Sequence, residues 1–336
     1  MMNILEEVTS IFDIKVLYYI LIVLLFVGTI CLLNYVINPM IQGKMCIKEL
    51  YKRTDVEGAY KDAPIGTSWY DNIQLMRKNL KELEDIKHEE VSIKSFDGLK
   101  LVGYLFKKSK AKGTVILVHG CHSYALREWA CLANYYLKNN YNVLIIDQRG
   151  HNKSEGQVIS FGVNEHRDLL DWINFIDDYF KHKYKIYLHG MSLGAGVVMM
   201  CADKVNNALV KGIIVDSGFI GGEELISKSL VGSINNPKKL EKSLYYADRY
   251  SKKHYGFSIK EINPEECIKN TDIPMLFIIG SADINGTHET DLLYRNCSSS
   301  YKDMLVVNGA THGESYYRDE KEYIKRIEQL LEVKHE

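Results

Sequence analysis

The sequence predicts an α/β protein: a mostly parallel central sheet with helices on both faces and a helical cap, preceded by one transmembrane helix. Three observations carry this expectation. Residues 16–37 are uncharged and almost entirely apolar. From residue 91 onward, short apolar runs alternate with stretches of helical periodicity, the pattern of a parallel sheet with crossover helices. Between one such run and one such stretch stands Gly190-Met191-Ser192-Leu193-Gly194, a serine at the apex of a glycine-flanked turn.

Taken in order, residues 1–15 form a short N-terminal flank and 16–37 the span. At about 1.5 Å per residue the run reaches roughly 30 Å, the thickness of a hydrocarbon core. Tyr18, Tyr19 and Tyr35 lie near its ends, where interfacial aromatics belong. The run is too long for the apolar core of a signal peptide, and no small-x-small cleavage site follows it. Lys15 with Glu6, Glu7 and Asp13 precede it; Lys44, Lys48, Lys52 and Arg53 follow. That asymmetry favours a cytoplasmic-facing domain, with an extracytoplasmic one as the alternative.

Residues 38–90 read as a helical connector. Ser68 is a candidate cap, with Asp71 three residues on. Ile73, Met76, Leu80 and Leu83 recur at helical spacing, so one face packs on the domain that follows. No chemistry is assigned to this stretch.

The domain proper is 91–336. Asp97-Gly98 between two β-patterned runs predicts a hairpin. Residues 114–118 form a continuous apolar run, as in a strand buried on both faces. Strands at 143–146, 186–188, 212–215, 275–279 and 304–307 then alternate with helices near 126–137, 165–180, 193 onward, 289–295 and 320–331. Residues 218–270 break the rhythm and read as a cap insertion above the carboxyl edge of the sheet.

The bulk properties narrow the chemistry. The 336 residues carry a formal net charge of −1, so nothing electrostatic points to nucleic acid as a partner. Seven cysteines with no C-x-x-C spacing argue for reduced thiols and against a structural zinc site.

A serine needs a base, an orienting acid and donors for the oxyanion. His312, in the loop after the last strand, is the candidate base. Asp283, a few residues beyond the penultimate strand, is the candidate acid, with Asp216 at the end of the preceding strand as the runner-up. The order Ser192, Asp283, His312 is that of elbow-type hydrolases. The oxyanion donors fall by position on the backbone N–H groups of Leu193, directly after the nucleophile, and of Cys121, in the loop after strand 114–118. A thiol enzyme using Cys121 itself would need a thiolate of low pKa, for which only His119 and His122 argue.

Several motifs occur together in one order: Ser95-Phe-Asp-Gly-Leu-Lys-Leu, His119-Gly120, Asp147-Gln-Arg-Gly-His-Asn-Lys-Ser-Glu-Gly156, the serine turn, Gly280-Ser-Ala-Asp283 and His312-Gly313. In these the chain resembles the α/β-hydrolase superfamily from about residue 91 to the end, and most closely its bacterial serine-aminopeptidase-like and dienelactone-hydrolase-like branch. The resemblance implies a Ser-His-Asp hydrolase with a cap between the sixth and seventh strands. Two departures stand out. Asn152 occupies a position where the family has glycine, and Ile-Asn-Gly-Thr follows Asp283 where a Val-Pro pair is common.

The expected function is a membrane-anchored serine hydrolase acting on an ester through an acyl-enzyme. The alternatives are a peptidase or amidase of the same fold, or a silent membrane-tethered binding protein. No metal or organic cofactor is expected. The expected partners are a small-molecule or lipid-like acyl substrate and the membrane.

Overall fold

A computed structural model describes residues 2–54, 66–231, 234–284 and 286–333, with side chains from residue 14 onward. The chain divides into two compact units, residues 1–48 with 226–256, and residues 49–225 with 257–336.

In the first unit, helix α1 (Met2–Leu32) passes through a π-helical segment, Leu33–Ile37, into α2 (Asn38–Leu50). The side chains of 14–33 are turned outward, and the most apolar stretch has a mean hydropathy of 2.8 with none of it buried. This helix is long and apolar enough to span a membrane. Pro39 brings no N–H to the Tyr35 carbonyl that its helical position would bond. Lys242 Nζ donates to that carbonyl instead, at 3.1 Å. Lys242 belongs to helix α8 (Pro237–Tyr255), which packs closely on α2. A Cβ on Gly43 would lie 2.3 Å from the Ser243 carbonyl oxygen, so only glycine permits this approach. The small residues Ser243, Ala247 and Ser251 are the buried stripe of α8.

The second unit is built on one eight-stranded sheet in the order β1-β2-β4-β3-β5-β6-β7-β8. Its strands are β1 (His88–Lys94), β2 (Lys100–Phe106), β3 (Thr114–Val118), β4 (Asn142–Ile146), β5 (Ile186–Met191), β6 (Val210–Asp216), β7 (Met275–Gly280) and β8 (Lys302–Val307). The first two form the hairpin at Asp97-Gly98 and are antiparallel to their neighbours; β3 to β8 are parallel. Strands β3 and β4 are buried at every position, which is why their sequences are apolar without alternation.

Helices α3 (Ser68–Glu84), α4 (Ala125–Lys138) and α12 (Glu320–Leu331) share one core with the sheet, around Trp129, Tyr136 and Tyr323. Helices α5 (Glu165–Tyr179), α6 (Leu193–Cys201) and α10 (Thr287–Asn296) cover the other face; Trp172 of α5 presses on Gly103, and Tyr294 of α10 on Phe277. Between β6 and β7 the chain forms α7 (Gly222–Val231), α8 and the short α9 (Pro264–Ile268). The short α11 (Ser315–Arg318) precedes α12.

Of two local details, the cap of α3 differs from the sequence-based expectation and the Asn152 turn agrees with it. The cap of α3 is Thr67, whose hydroxyl accepts the Tyr70 N–H at 3.3 Å, and Ser68 is the first helical residue. Either hydroxyl could serve; the extended backbone at 67 decides it. Asn152 does adopt the positive φ of 44° that the motif's glycine would take, and it adds a bond glycine could not make, Nδ2 to Asp147 Oδ1 at 3.0 Å.

Candidate active site

The turn between β5 and α6 holds Ser192 at φ 54° and ψ −111°, a strained conformation outside the helical and extended regions. Both flanking glycines are required by contact. A Cβ on Gly190 would lie 2.2 Å from the Gly194 carbonyl oxygen, and one on Gly194 would lie 1.9 Å from that of Val118. The strand, the turn and the helix start can approach only without those side chains, and the turn lifts Ser192 clear of the sheet edge.

Two loops bring the other groups to it. The chain after β7 and the chain after β8 are laced together by Ser281 N–H to Val307 O at 2.9 Å and Ala282 N–H to Ala310 O at 2.9 Å. This sets His312 between Ser192 and Asp283. Its Nδ1 is 2.8 Å from Asp283 Oδ2 and its Nε2 is 2.9 Å from Ser192 Oγ. A carboxylate on Nδ1 fixes the tautomer that carries its proton there and leaves Nε2 as acceptor. The imidazole is open at the mouth of the site while the Asp283 side chain is 9 % exposed. Its surroundings lower the imidazole pKa by desolvation, but the Asp283 bond and charge, with Asp216 and Glu128 further off, outweigh this and raise it above the ordinary value.

Asp216 is engaged elsewhere. Its carboxylate accepts from Tyr323 Oη at 2.8 Å and from Ser217 Oγ at 2.9 Å, and burial raises its pKa to about 6. Tyr323 Oη lies 3.1 Å from His189 Nε2, and His189 Nδ1 lies 3.0 Å from Tyr136 Oη. Burial holds His189 neutral, with a pKa of about 3. At the other end, Ser217 Oγ accepts the Gly313 N–H at 3.2 Å, next to His312. The runner-up acid is thus part of a buried chain that steadies the histidine loop from beneath.

The loop His119-Gly120-Cys121-His122 passes beside the serine, and a Cβ at Gly120 would touch Ser192 Cβ at 3.4 Å. His119 braces it: Nδ1 donates to the Gly120 carbonyl at 2.7 Å and Nε2 accepts the Gln148 N–H at 3.1 Å. Next along, the His122 N–H donates to His151 Nε2 at 3.2 Å. The Leu193 and Cys121 amides have no acceptor among the described residues. The Cys121 thiol is pushed up by burial and by the charges of Glu165 and Glu128, which removes the thiolate that a thiol enzyme needs.

Sequence reasoning missed two contributions. Glu128, on the first turn of α4, accepts the Gly120 N–H at 2.8 Å and is raised by burial to about pKa 7. The connector also reaches the site. Trp69, Ile73 and Met76 of α3 line a cavity of about 280 Å³ together with Gly120, Cys121, Met191, Ser192 and His312. The stretch given no chemistry supplies a wall of the pocket. Its apolar periodicity was the available signal, but such periodicity reports that a face is covered and not what covers it.

The sheet order and the strand–turn–helix around Ser192 are those of the α/β-hydrolase fold. The family model described as serine aminopeptidase, S33, matches residues 109–253. An esterase of Pyrococcus furiosus superposes with a TM-score of 0.61 at 21 % identity, over 84 % of this chain and 98 % of its own. Est1E of Butyrivibrio proteoclasticus, solved with ferulic acid, gives 0.55 at 18 % identity over 71 % of this chain and 98 % of its own. Among curated proteins, the uncharacterized YqkD of Bacillus subtilis is 24 % identical over 84 % of this chain and 88 % of its own length. The fold is that of the α/β hydrolases, and the family match over 109–253 agrees with the serine-aminopeptidase-like branch that the motifs resemble.

Proposed function

We propose that the protein is a membrane-anchored serine hydrolase that cleaves a carboxylic ester. Ser192 Oγ attacks the acyl carbonyl as His312 Nε2 takes its proton. Asp283 holds His312 and stabilises the imidazolium. The Leu193 and Cys121 amides receive the oxyanion. His312 returns the proton to the leaving alcohol, and water activated by the same imidazole releases the acid. The observation that carries this reading is the pair of contacts on His312, 2.9 Å to Ser192 and 2.8 Å to Asp283. The ester class is favoured by the esterases of like fold. The description of the matching family favours a peptidase instead. The helix from residue 14 is read as the anchor, and the cations that follow it favour a cytoplasmic-facing domain.

The test is labelling of the full-length protein in detergent with a fluorophosphonate, for wild type and Ser192→Ala. Labelling that disappears in Ser192→Ala supports the reading, and folded wild-type protein that takes no label overturns it. Matched p-nitrophenyl esters and amino-acid p-nitroanilides then separate esterase from peptidase. Flotation with liposomes under alkaline carbonate tests the anchor.

A further inference from the structure

We propose that helix α3 forms the acyl-binding slot, with Ile73 and Met76 setting the longest chain admitted, so that the substrate is an ester of a short, unbranched aliphatic acid. This rests on the serine-hydrolase reading and goes beyond it. Every described residue lining the cavity at Ser192 comes from α3, the loop after β3 with the start of α4, the serine turn and the histidine loop.

The course of α3 gives the slot a direction. At its start, Trp69 lies against the histidine loop; a Cβ on Gly313 would be 3.6 Å from its ring, and the Tyr317 ring is 6.5 Å away centre to centre. Asn72 Nδ2 then donates to Glu314 Oε1 at 3.0 Å. Further along, Asn134 Nδ2 of α4 donates to the Asn79 carbonyl at 3.1 Å. The helix is pinned at both ends, and Met76 lies two turns, about 10 Å, beyond Trp69. The leaving alcohol must depart beside His312, which protonates it, at the Trp69 end. The acyl chain remains on Ser192 and extends the other way, along Ile73 toward Met76. Those two side chains are buried apolar groups, and methionine fills a slot without imposing branching. At about 280 Å³ the cavity is small for a ligand site, which selects a short chain.

The experiment uses full-length protein in detergent, with active sites counted by fluorophosphonate labelling and kcat/KM measured on p-nitrophenyl esters from acetate to palmitate. Wild type should favour short acids and lose about tenfold per added methylene once the slot is full. Met76→Ala should move the optimum up by about three chain atoms, the number of side-chain atoms removed. Ile73→Trp should move it down, and Leu75→Ala, on the exposed face of α3, should leave it in place. A series of acetates of lengthening alcohols should respond little to Met76→Ala. Labelled Met76→Ala and Ile73→Trp proteins with an unchanged acyl profile overturn the proposal while leaving the serine nucleophile standing. So does a shift seen only in the alcohol series. Wild type that takes no label overturns both readings, and the absence of label marks that case from the others.

Discussion

The rim of the site and the floor beneath it use the same residue types in opposite ways. On the rim, an aspartate, a histidine and a hydroxyl meet at the mouth of a pocket: Asp283, His312 and Ser192. On the floor, Asp216, His189 and the hydroxyls of Tyr323, Tyr136 and Ser217 make a chain of similar lengths, buried. The rim histidine has its pKa raised by a carboxylate in contact, whereas the floor histidine is hydrogen-bonded to phenols and is driven down to about 3 by burial. The carboxylate beside the rim histidine favours its protonation, whereas burial keeps the floor histidine neutral. Residue identity does not separate the accessible constellation from the buried bracing one; access and the position of the charge do.

The comparison predicts different consequences of similar changes. Asp283→Asn should lower kcat by about 10⁴-fold, because the amide stabilises the wrong tautomer and no longer stabilises the imidazolium. It should also move the acid limb of the kcat/KM profile to lower pH, since Asp283 is what raises His312 above its ordinary pKa. A pH–rate profile on a soluble p-nitrophenyl ester reads both effects. Tyr323→Phe cuts the floor chain and should cost about 1–3 kcal/mol of stability, the penalty of an unpaired buried acceptor at Asp216. It should leave kcat/KM within about tenfold of wild type, since it removes no group that meets the substrate. Thermal unfolding in detergent beside the ester assay would measure the pair, and a loss as large as that of Asp283→Asn would erase the distinction between rim and floor.

Glu128 gives the smallest effect and tests the ground between the two regions. Its folded pKa of about 7 is above the ordinary carboxyl value, so the fold favours the neutral acid. The unfolded chain ionises first as pH rises. Glu128 therefore lowers stability progressively from the ordinary carboxyl range up to about pH 7, and by a constant amount above it. Glu128→Gln keeps an acceptor for the Gly120 N–H and removes the titration. The variant should gain thermal stability over wild type at about pH 8 and show little difference at about pH 5. An equal difference at both pH values would assign Glu128 no such titration.

Much of this was legible in the sequence, for a physical reason. A parallel sheet gathers its site at the carboxyl ends of its strands, so Ser192, Asp283 and His312 could be found by asking which polar residues follow apolar runs. Asp283 and Asp216 both pass that test, and their roles separate only through the lacing of the loops after β7 and β8, which no spacing encodes. Glu128 was missed because a glutamate in the first turn of a helix ordinarily faces water. Met76 was missed because the helical stripe that buries it serves core and pocket at once, Leu80 and Leu83 on the core and Ile73 and Met76 toward the cavity.

The floor chain also has a sense. If Tyr323 donates to Asp216, its oxygen is left to accept from His189 Nε2, and His189 Nδ1 must accept from Tyr136. From the other side, Gly313 donates to Ser217, which donates to Asp216. Two runs of dipoles thus converge head-on, and a carboxylate is the terminus that accepts from both. An asparagine there would return a donor toward one arm; facing Ser217 it asks only that hydroxyl to turn, but facing Tyr323 it asks for reversal of every rotor back to Tyr136, including a change of tautomer at His189. The site above therefore rests on a polarity fixed more than one residue away from any reacting atom, and the ring nitrogen that carries the His189 proton records which way that polarity runs.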